Sequence, residues 1–157
     1  MGLKEIMATK MMRHFAKKNI PLLHFVEPSI VKLTDDEIEI KIPFKKKNKN
    51  HLGSMYFGVL TVGADASGGV LAMKLIKDSG RKISLIFKDL KAEFYKRAEG
   101  DTHFVCKDGK GIKDLIQKVI ETKERQNMPL HIDAYVPSKQ REPVAHFVLT
   151  LSLKLKE

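Results

Sequence analysis

Apolar and polar residues alternate most regularly at the end of the chain. From Val144 to Lys156, Ala145, Phe147, Leu149, Leu151, Leu153 and Leu155 share one parity. Val144, His146, Val148, Thr150, Ser152 and Lys154 share the other. Period two belongs to a strand with one face in a core. The same alternation predicts a hairpin: Ile30–Leu33, a turn at Thr34-Asp35-Asp36, then Glu37–Pro43, with Ile38, Ile40 and Ile42 facing inward. Lys82–Lys88 and Leu90–Glu99 read as strand, Ile83, Leu85 and Phe87 pointing one way. Leu90, Ala92 and Phe94 resume the apolar face on the opposite parity. That slip at Lys88-Asp89 predicts a β-bulge or a bend. Leu130–Val136 is a further strand, and Gly100-Asp101 turns into another at His103–Cys106.

Three segments follow the helical period instead. In Gly111–Lys123, Ile112, Leu115, Ile116, Val119 and Ile120 recur at i, i+3, i+4, i+7 and i+8. In Met1–Lys18, Leu3, Ile6, Met7, Met11 and Phe15 form a stripe, with lysines elsewhere. The stripe is expected to dock on the body and the lysines to form a solvated face, the competing reading being that the basic face touches a membrane or an acidic partner; Pro21 ends the helix. Ser54–Ile76 is apolar nearly throughout, yet it keeps Gly58, Gly63, Gly68 and Gly69. Each would weaken an exposed helix by about 1 kcal/mol relative to alanine. A helix that retains them needs close approach by a strand, a ligand or another subunit. The summed pattern is α+β: half-buried antiparallel strands sharing one apolar face, covered by the glycine-rich helix. A single domain over residues 1–157 is expected, with an N-terminal helix at 1–20, a central helix at 54–76 and an additional helix at 110–125.

Composition narrows the choice of partner. With 157 residues the chain buries roughly 70% of its unfolded surface and needs no staples. A single cysteine, Cys106, excludes an internal disulfide and any multi-cysteine metal site, and suits a reducing, cytoplasmic compartment. The net charge of +10 points to an anionic partner. The absence of Trp and an aromatic content of 7% argue against nucleic acid, because single-strand binding relies on stacking. The apolar run Val59–Met73 falls short of the ~20 residues that span a bilayer and contains Asp65. No membrane partner is expected.

Asp65 is the most informative residue. Its surroundings, from Gly58 to Leu71, are otherwise apolar or small. A buried carboxylate needs partners or a shifted pKa. At helical spacing Gly58, Thr61, Asp65, Gly68, Gly69 and Ala72 share one face, which leaves space beside the carboxylate. Leu60, Ala64, Ser67 and Leu71 lie opposite. Two readings stay open: a general base lining a pocket, or a structural carboxylate that caps a second helix or holds a buried backbone donor. The preceding segment, Asn50 to Gly58, runs from a loop into a helix start, with Ser54 as the expected cap. Free amides at such a start can stabilise an oxyanion.

Asn50-x-x-Gly53-x-x-Tyr56-Phe57-Gly58, with Asp65 seven positions on, resembles the signature of hotdog-fold acyl-CoA thioesterases. The similarity is to the phenylacetyl-CoA thioesterase-like branch, and most of all to an uncharacterised thioesterase-like subfamily with an aromatic pair before the glycine. The resemblance implies a curved antiparallel sheet wrapped around the central helix. It also implies a homodimer, or a homotetramer, with active sites at the dimer interface. Asp65 would be the general base or nucleophile. Gly58 would belong to the oxyanion-binding helix start and Asn50 would orient water or the thioester. Tyr56, Phe57, Thr61 and Gly68 would contact the substrate. No cofactor or metal is implied. Related enzymes usually carry His-Gly-Gly where this chain has Tyr56-Phe57-Gly58. That departure keeps a second function in view, a protein of the same fold that binds acyl-CoA or a fatty acyl group without turnover.

Lys46, Lys47 and Lys49, with Lys45, lie just before Asn50 and are candidates for the phosphates of coenzyme A. A lysine cluster supplies point charges but no shaped pocket, so a solvated loop is the competing reading. Arg81, Lys82, Lys88, Lys91, Lys96 and Arg97 are further cationic candidates.

Overall fold

The computed structural model describes residues 1–156. Its elements, in chain order, are α1 (Leu3–Asn19), α2 (Pro21–Phe25), β1 (Ser29–Leu33), β2 (Ile38–Ile42), a 3₁₀ turn at Lys46–Asn48, α3 (Phe57–Asp78), β3 (Ile83–Phe94), β4 (Thr102–Cys106), α4 (Gly109–Thr122), β5 (Gln126–Tyr135) and β6 (Ala145–Leu155). The strands form one antiparallel sheet in the order β1-β2-β4-β5-β6-β3.

The period-two residues meet as their pattern predicts. Ile38, Ile40 and Ile42 are buried beside Phe104, Ile132 and Ala134, and Phe147, Leu149, Leu151 and Leu153 continue the same surface. α3 lies on this surface and touches β2, β3, β4, β5 and β6. Five strands about 4.8 Å apart span more than the diameter of one helix, so the sheet must curl around it. This is the hotdog arrangement. α3 is long and apolar enough to cross a membrane by length and composition, but here it is the core helix of the wrapped sheet. Gly63 explains how closely the two layers approach. A β-carbon there would stand 2.7 Å from Cδ2 of the fully buried Phe104 ring. α4 packs Ile112, Leu115, Ile116 and Val119 beside α3 and ends on Lys123 in the left-handed region, φ 58°.

Several expectations need correction. The strand expected over Leu90–Glu99 ends at Phe94, and β5 begins at Gln126, earlier than Leu130 and directly after the span read as the additional helix. That helix itself stops at Thr122. The slip near Lys88-Asp89 is present, since register on β6 breaks between Phe87 and Leu90. The central helix starts at Phe57 rather than Ser54, and no side chain caps it. Ser54 Oγ instead accepts a hydrogen bond from Arg97 Nε at 2.6 Å.

The largest correction concerns α1. Leu3, Met7 and Met11 of the expected docking stripe are 73%, 56% and 63% exposed, whereas Thr9, Met12 and Ala16 face the body. The edge of β1 selects that face. Thr9 Oγ1 accepts the Ile30 N–H at 2.9 Å, Lys4 Nζ donates to the Leu33 carbonyl at 2.9 Å, and Arg13 bridges the Pro28 carbonyl and Ser29 Oγ. The docked face thus combines burial of Met12 and Ala16 with partners for the polar groups of an edge strand. α1 thus covers one margin of the sheet. The other margin, β3, pairs only with β6.

Candidate active site

Asp65 sits on the third turn of α3, half-buried, in a cleft of about 460 Å³. Its walls come from distant parts of the chain. Ile20, Leu22 and Leu23 close one side, Thr61 and Val62 lie on its own helix, and Phe87 to Leu90 of β3 with Leu149 of β6 form the floor. Because α3 runs unbroken from Phe57 to Asp78, Asp65 caps no second helix. Among the described residues no protein group donates a hydrogen bond to its carboxylate. Burial in this cleft, mostly apolar though Lys88 and Asp89 also line it, pushes its pKa above the ordinary carboxylate value. A carboxylate so placed is a stronger base than a solvated one and has both oxygens free for water or substrate.

A second cleft, of about 360 Å³, opens at the amino end of α3. It is lined by Asn50, Ser54, Phe57, Leu60, Phe94 and the segment Tyr95–Ala98. Asn50 Oδ1 accepts the N–H groups of Leu52 and Ser54 at 2.9 and 3.1 Å, which folds the loop back on itself. Its Nδ2 donors have no protein partner among the described residues. Arg97 fastens the loop through Ser54 and the Leu52 carbonyl. The first helical hydrogen bond runs from Leu60 N to the Tyr56 carbonyl, so the N–H groups of Phe57, Gly58 and Val59 are outside the helix ladder. Phe57, 59% exposed, makes edge contacts with Tyr56 and Phe94, at 5.1 and 6.1 Å between ring centroids.

The residues expected in one site are therefore divided within a single chain. Asp65 and Thr61 share the first cleft. Asn50 and Phe57 share the second, with Gly58 and Tyr56 at the helix start beside it. Thr61 Oγ1 donates to the Phe57 carbonyl at 3.0 Å. Gly68 packs against Leu130 and Phe87 side chains and lines neither cleft. β3 is common to both, with Phe87–Leu90 in one and Phe94 in the other.

The lysine loop is partly engaged. Lys45 and Lys47 both pair with Glu27, whose carboxyl they hold down at about 2. Lys47 also lies over the Phe25 ring and Lys49 over Phe44, at 4.7 and 4.0 Å from the centroids. Buried Asn48 ties the loop to the carbonyls of Val26 and Pro43. Lys96, from the wider set of cationic candidates, lines the Asn50 cleft directly. Ile20, Leu22, Leu23 and Leu149 carry no sequence signal as walls of the Asp65 cleft; only Pro21, which ends the first helix, hints at a corner there.

A curved sheet on one helix, with a free carboxylate in an apolar cleft and uncapped amides at the helix start, defines a hotdog-fold protein with a candidate active site. The chain belongs to the family described as Domain of unknown function (DUF4442), whose model matches residues 8–153. No curated protein matches it. Among solved structures it is similar to PA5026 from Pseudomonas aeruginosa, a protein of unknown function described as a probable thioesterase. The two share 25% identity and a TM-score of 0.77, over 94% of this chain and 96% of the other. A thioesterase family protein from Silicibacter pomeroyi shares 15% identity and a TM-score of 0.69, over 94% and 99% of the two chains. A mutant form of the thioesterase PA1618 from Pseudomonas aeruginosa shares 11% identity and a TM-score of 0.68, over 94% of each. The two more distant likenesses support the fold.

Proposed function

We propose that this protein hydrolyses an acyl-CoA thioester to the free acid and coenzyme A. The observation that carries the reading is Asp65: a half-buried carboxylate with no protein hydrogen bond among the described residues, in an apolar cleft that raises its pKa. The probable-thioesterase description of PA5026 supports the same class. In the proposed reaction Asp65 takes a proton from water, and the water oxygen attacks the thioester carbonyl. The amides at Phe57 and Gly58 hold the resulting oxyanion, the C–S bond breaks, and the thiolate leaves as coenzyme A on protonation. Asn50 Nδ2 orients the water or the thioester. Attack by Asp65 itself on the carbonyl is the covalent form of the same chemistry.

The active unit is proposed to be a homodimer paired through the free edge of β3. One copy's Asn50 cleft would then approach its partner's Asp65, joining the two halves that a single chain keeps apart. Ile86, 51% exposed on β3, supports pairing there. Lys46, Lys49 and Lys96 are proposed to meet the phosphates of coenzyme A, since Lys47 is held by Glu27.

The test is coenzyme A release, followed with a thiol reagent, across short, medium and aryl acyl chains. Asp65→Asn and Asp65→Ala are expected to lower kcat by about 10²-fold or more. Equal rates in wild type and both variants would remove Asp65 from the mechanism. Tight retention of acyl-CoA with no release at all would favour the non-catalytic carrier instead.

A further inference from the structure

The outward face of α1 combines large apolar side chains with unpaired cations. Leu3, Met7 and Met11 are spaced four apart and form one ridge, directly opposite the buried Thr9, Met12 and Ala16. Lys10, Lys17 and Lys18 are exposed around that ridge, and no ion pair involves them among the described residues. Lys4 and Arg13, by contrast, are spent on the sheet margin. The acids of this region are paired: Glu5 lies near the buried side, accepting the Gly2 N–H, Glu27 is held by Lys45 and Lys47, and Asp35, near Lys4, is held by Lys74. The ridge and the exposed lysines around it therefore present apolar and cationic side chains. Leu22 and Phe25 of α2 are exposed as well, and Ile20 and Leu22 form one wall of the Asp65 cleft.

We propose that this face docks on an anionic phospholipid surface. Long lysine side chains can lie along the apolar ridge and carry their charges to the headgroups while Leu3, Met7 and Met11 enter the acyl boundary. A second copy of the chain fits poorly, because a two-fold contact would set Lys10, Lys17 and Lys18 against themselves. A convex helix ridge also offers no groove for a partner's side chain. The expectation of no membrane partner considers only a bilayer-spanning run at Val59–Met73; surface docking through α1 is a different mode, open because its apolar stripe faces outward.

The test is co-sedimentation of the full chain with vesicles of phosphatidylcholine alone and of phosphatidylcholine with about 30% phosphatidylglycerol. The expected result is binding to the anionic vesicles that weakens with added salt and is at least about tenfold weaker on neutral ones. Lys10→Glu/Lys17→Glu/Lys18→Glu and, separately, Met7→Ser/Met11→Ser are each expected to weaken it about tenfold or more. Both sets replace exposed side chains, and a thermal melt checks that they remain folded. Failure to bind anionic vesicles at low salt, equal binding to neutral vesicles, or full binding by the triple variant would overturn the proposal. So would a fall in native mass in either variant, which would assign the face to a second copy. Asp65→Asn should bind vesicles as wild type does, so loss of the hydrolase reading and loss of the docking reading are separate outcomes.

Discussion

Gly63→Ala and Gly69→Ala place the same added methyl group on the same helix and should change stability in opposite directions. Alanine gains about 1 kcal/mol over glycine in a helix interior at either position. At Gly69 the new β-carbon would lie 3.7 Å from Phe87 Cε2, an ordinary contact. The gain survives, and the melting temperature should rise by about 2–4 °C for a chain of this size. At Gly63 the new carbon falls well inside contact distance of three ring atoms of Phe104, with Cδ2 at 2.7 Å against the usual 3.5–4.0 Å between carbons. The ring cannot swing away, because Phe104 is fully buried on β4. The backbone has little slack either, since Ser67 Oγ donates to the Gly63 carbonyl at 2.8 Å and lies 3.4 Å from the Phe104 carbonyl. Overpacking of this kind costs about 1–3 kcal/mol, and a displacement approaching 1 Å belongs in the upper half of that range. The net is a loss of about 1–2 kcal/mol, or a fall of about 2–8 °C. Thermal melts by circular dichroism with matched urea titrations would measure both. A Gly63→Ala variant as stable as wild type, or a Gly69→Ala variant equally destabilised, would refute the claim that Gly63 sets the spacing between helix and sheet.

Three other outcomes follow from the same structure. Because burial raises the Asp65 pKa, its ionised form weakens the fold above that pKa and has no such effect below the unfolded value. Asp65→Asn should therefore melt higher than wild type at neutral pH, with the two converging in acid, and the wild-type acid limb of kcat/KM should lie above the ordinary carboxylate range. Cys106 is buried, and desolvation pushes its thiol up to about 12, so it should stay silent to iodoacetamide at pH about 8 in the native protein and label only as fast as the chain unfolds; prompt native labelling would contradict this burial. Ile86→Lys on β3 sets like charges near each other across a two-fold pairing, so light scattering should report a folded monomer, and an unchanged native mass would remove the β3 edge from the interface.

What is legible in the sequence divides along the range of the forces involved. Alternation in β2 and β6 and the i, i+3, i+4 pattern in α4 report one buried face each, and those faces are buried as read. The slip at Lys88-Asp89 is legible because a bulge changes parity, and parity is a local property. Asp65 stands out because one acid in an apolar helix is costly unless it is used. The orientation of α1 is not legible: its apolar stripe is a local pattern, but its docking face meets partners later in the chain, Thr9 accepting from Ile30 N–H and Arg13 donating to the Pro28 carbonyl. Ser54 misleads for a similar reason. It fits the cap rule, yet Arg97, brought close by the fold, claims its hydroxyl, and the helix begins at Phe57. The walls of the Asp65 cleft come from α2, β3 and β6, which no periodicity links.

The unequal margins of the sheet also bear on how many copies can join. A ribbon with two bare borders can add subunits without end, which is the route to fibres. Here the helix over β1 acts as a stopper, leaving β3 as the main-chain template for another copy. Any growth by strand addition uses up that template in a single step, so it halts at a pair, and polymerisation along the sheet would first require α1 to peel away.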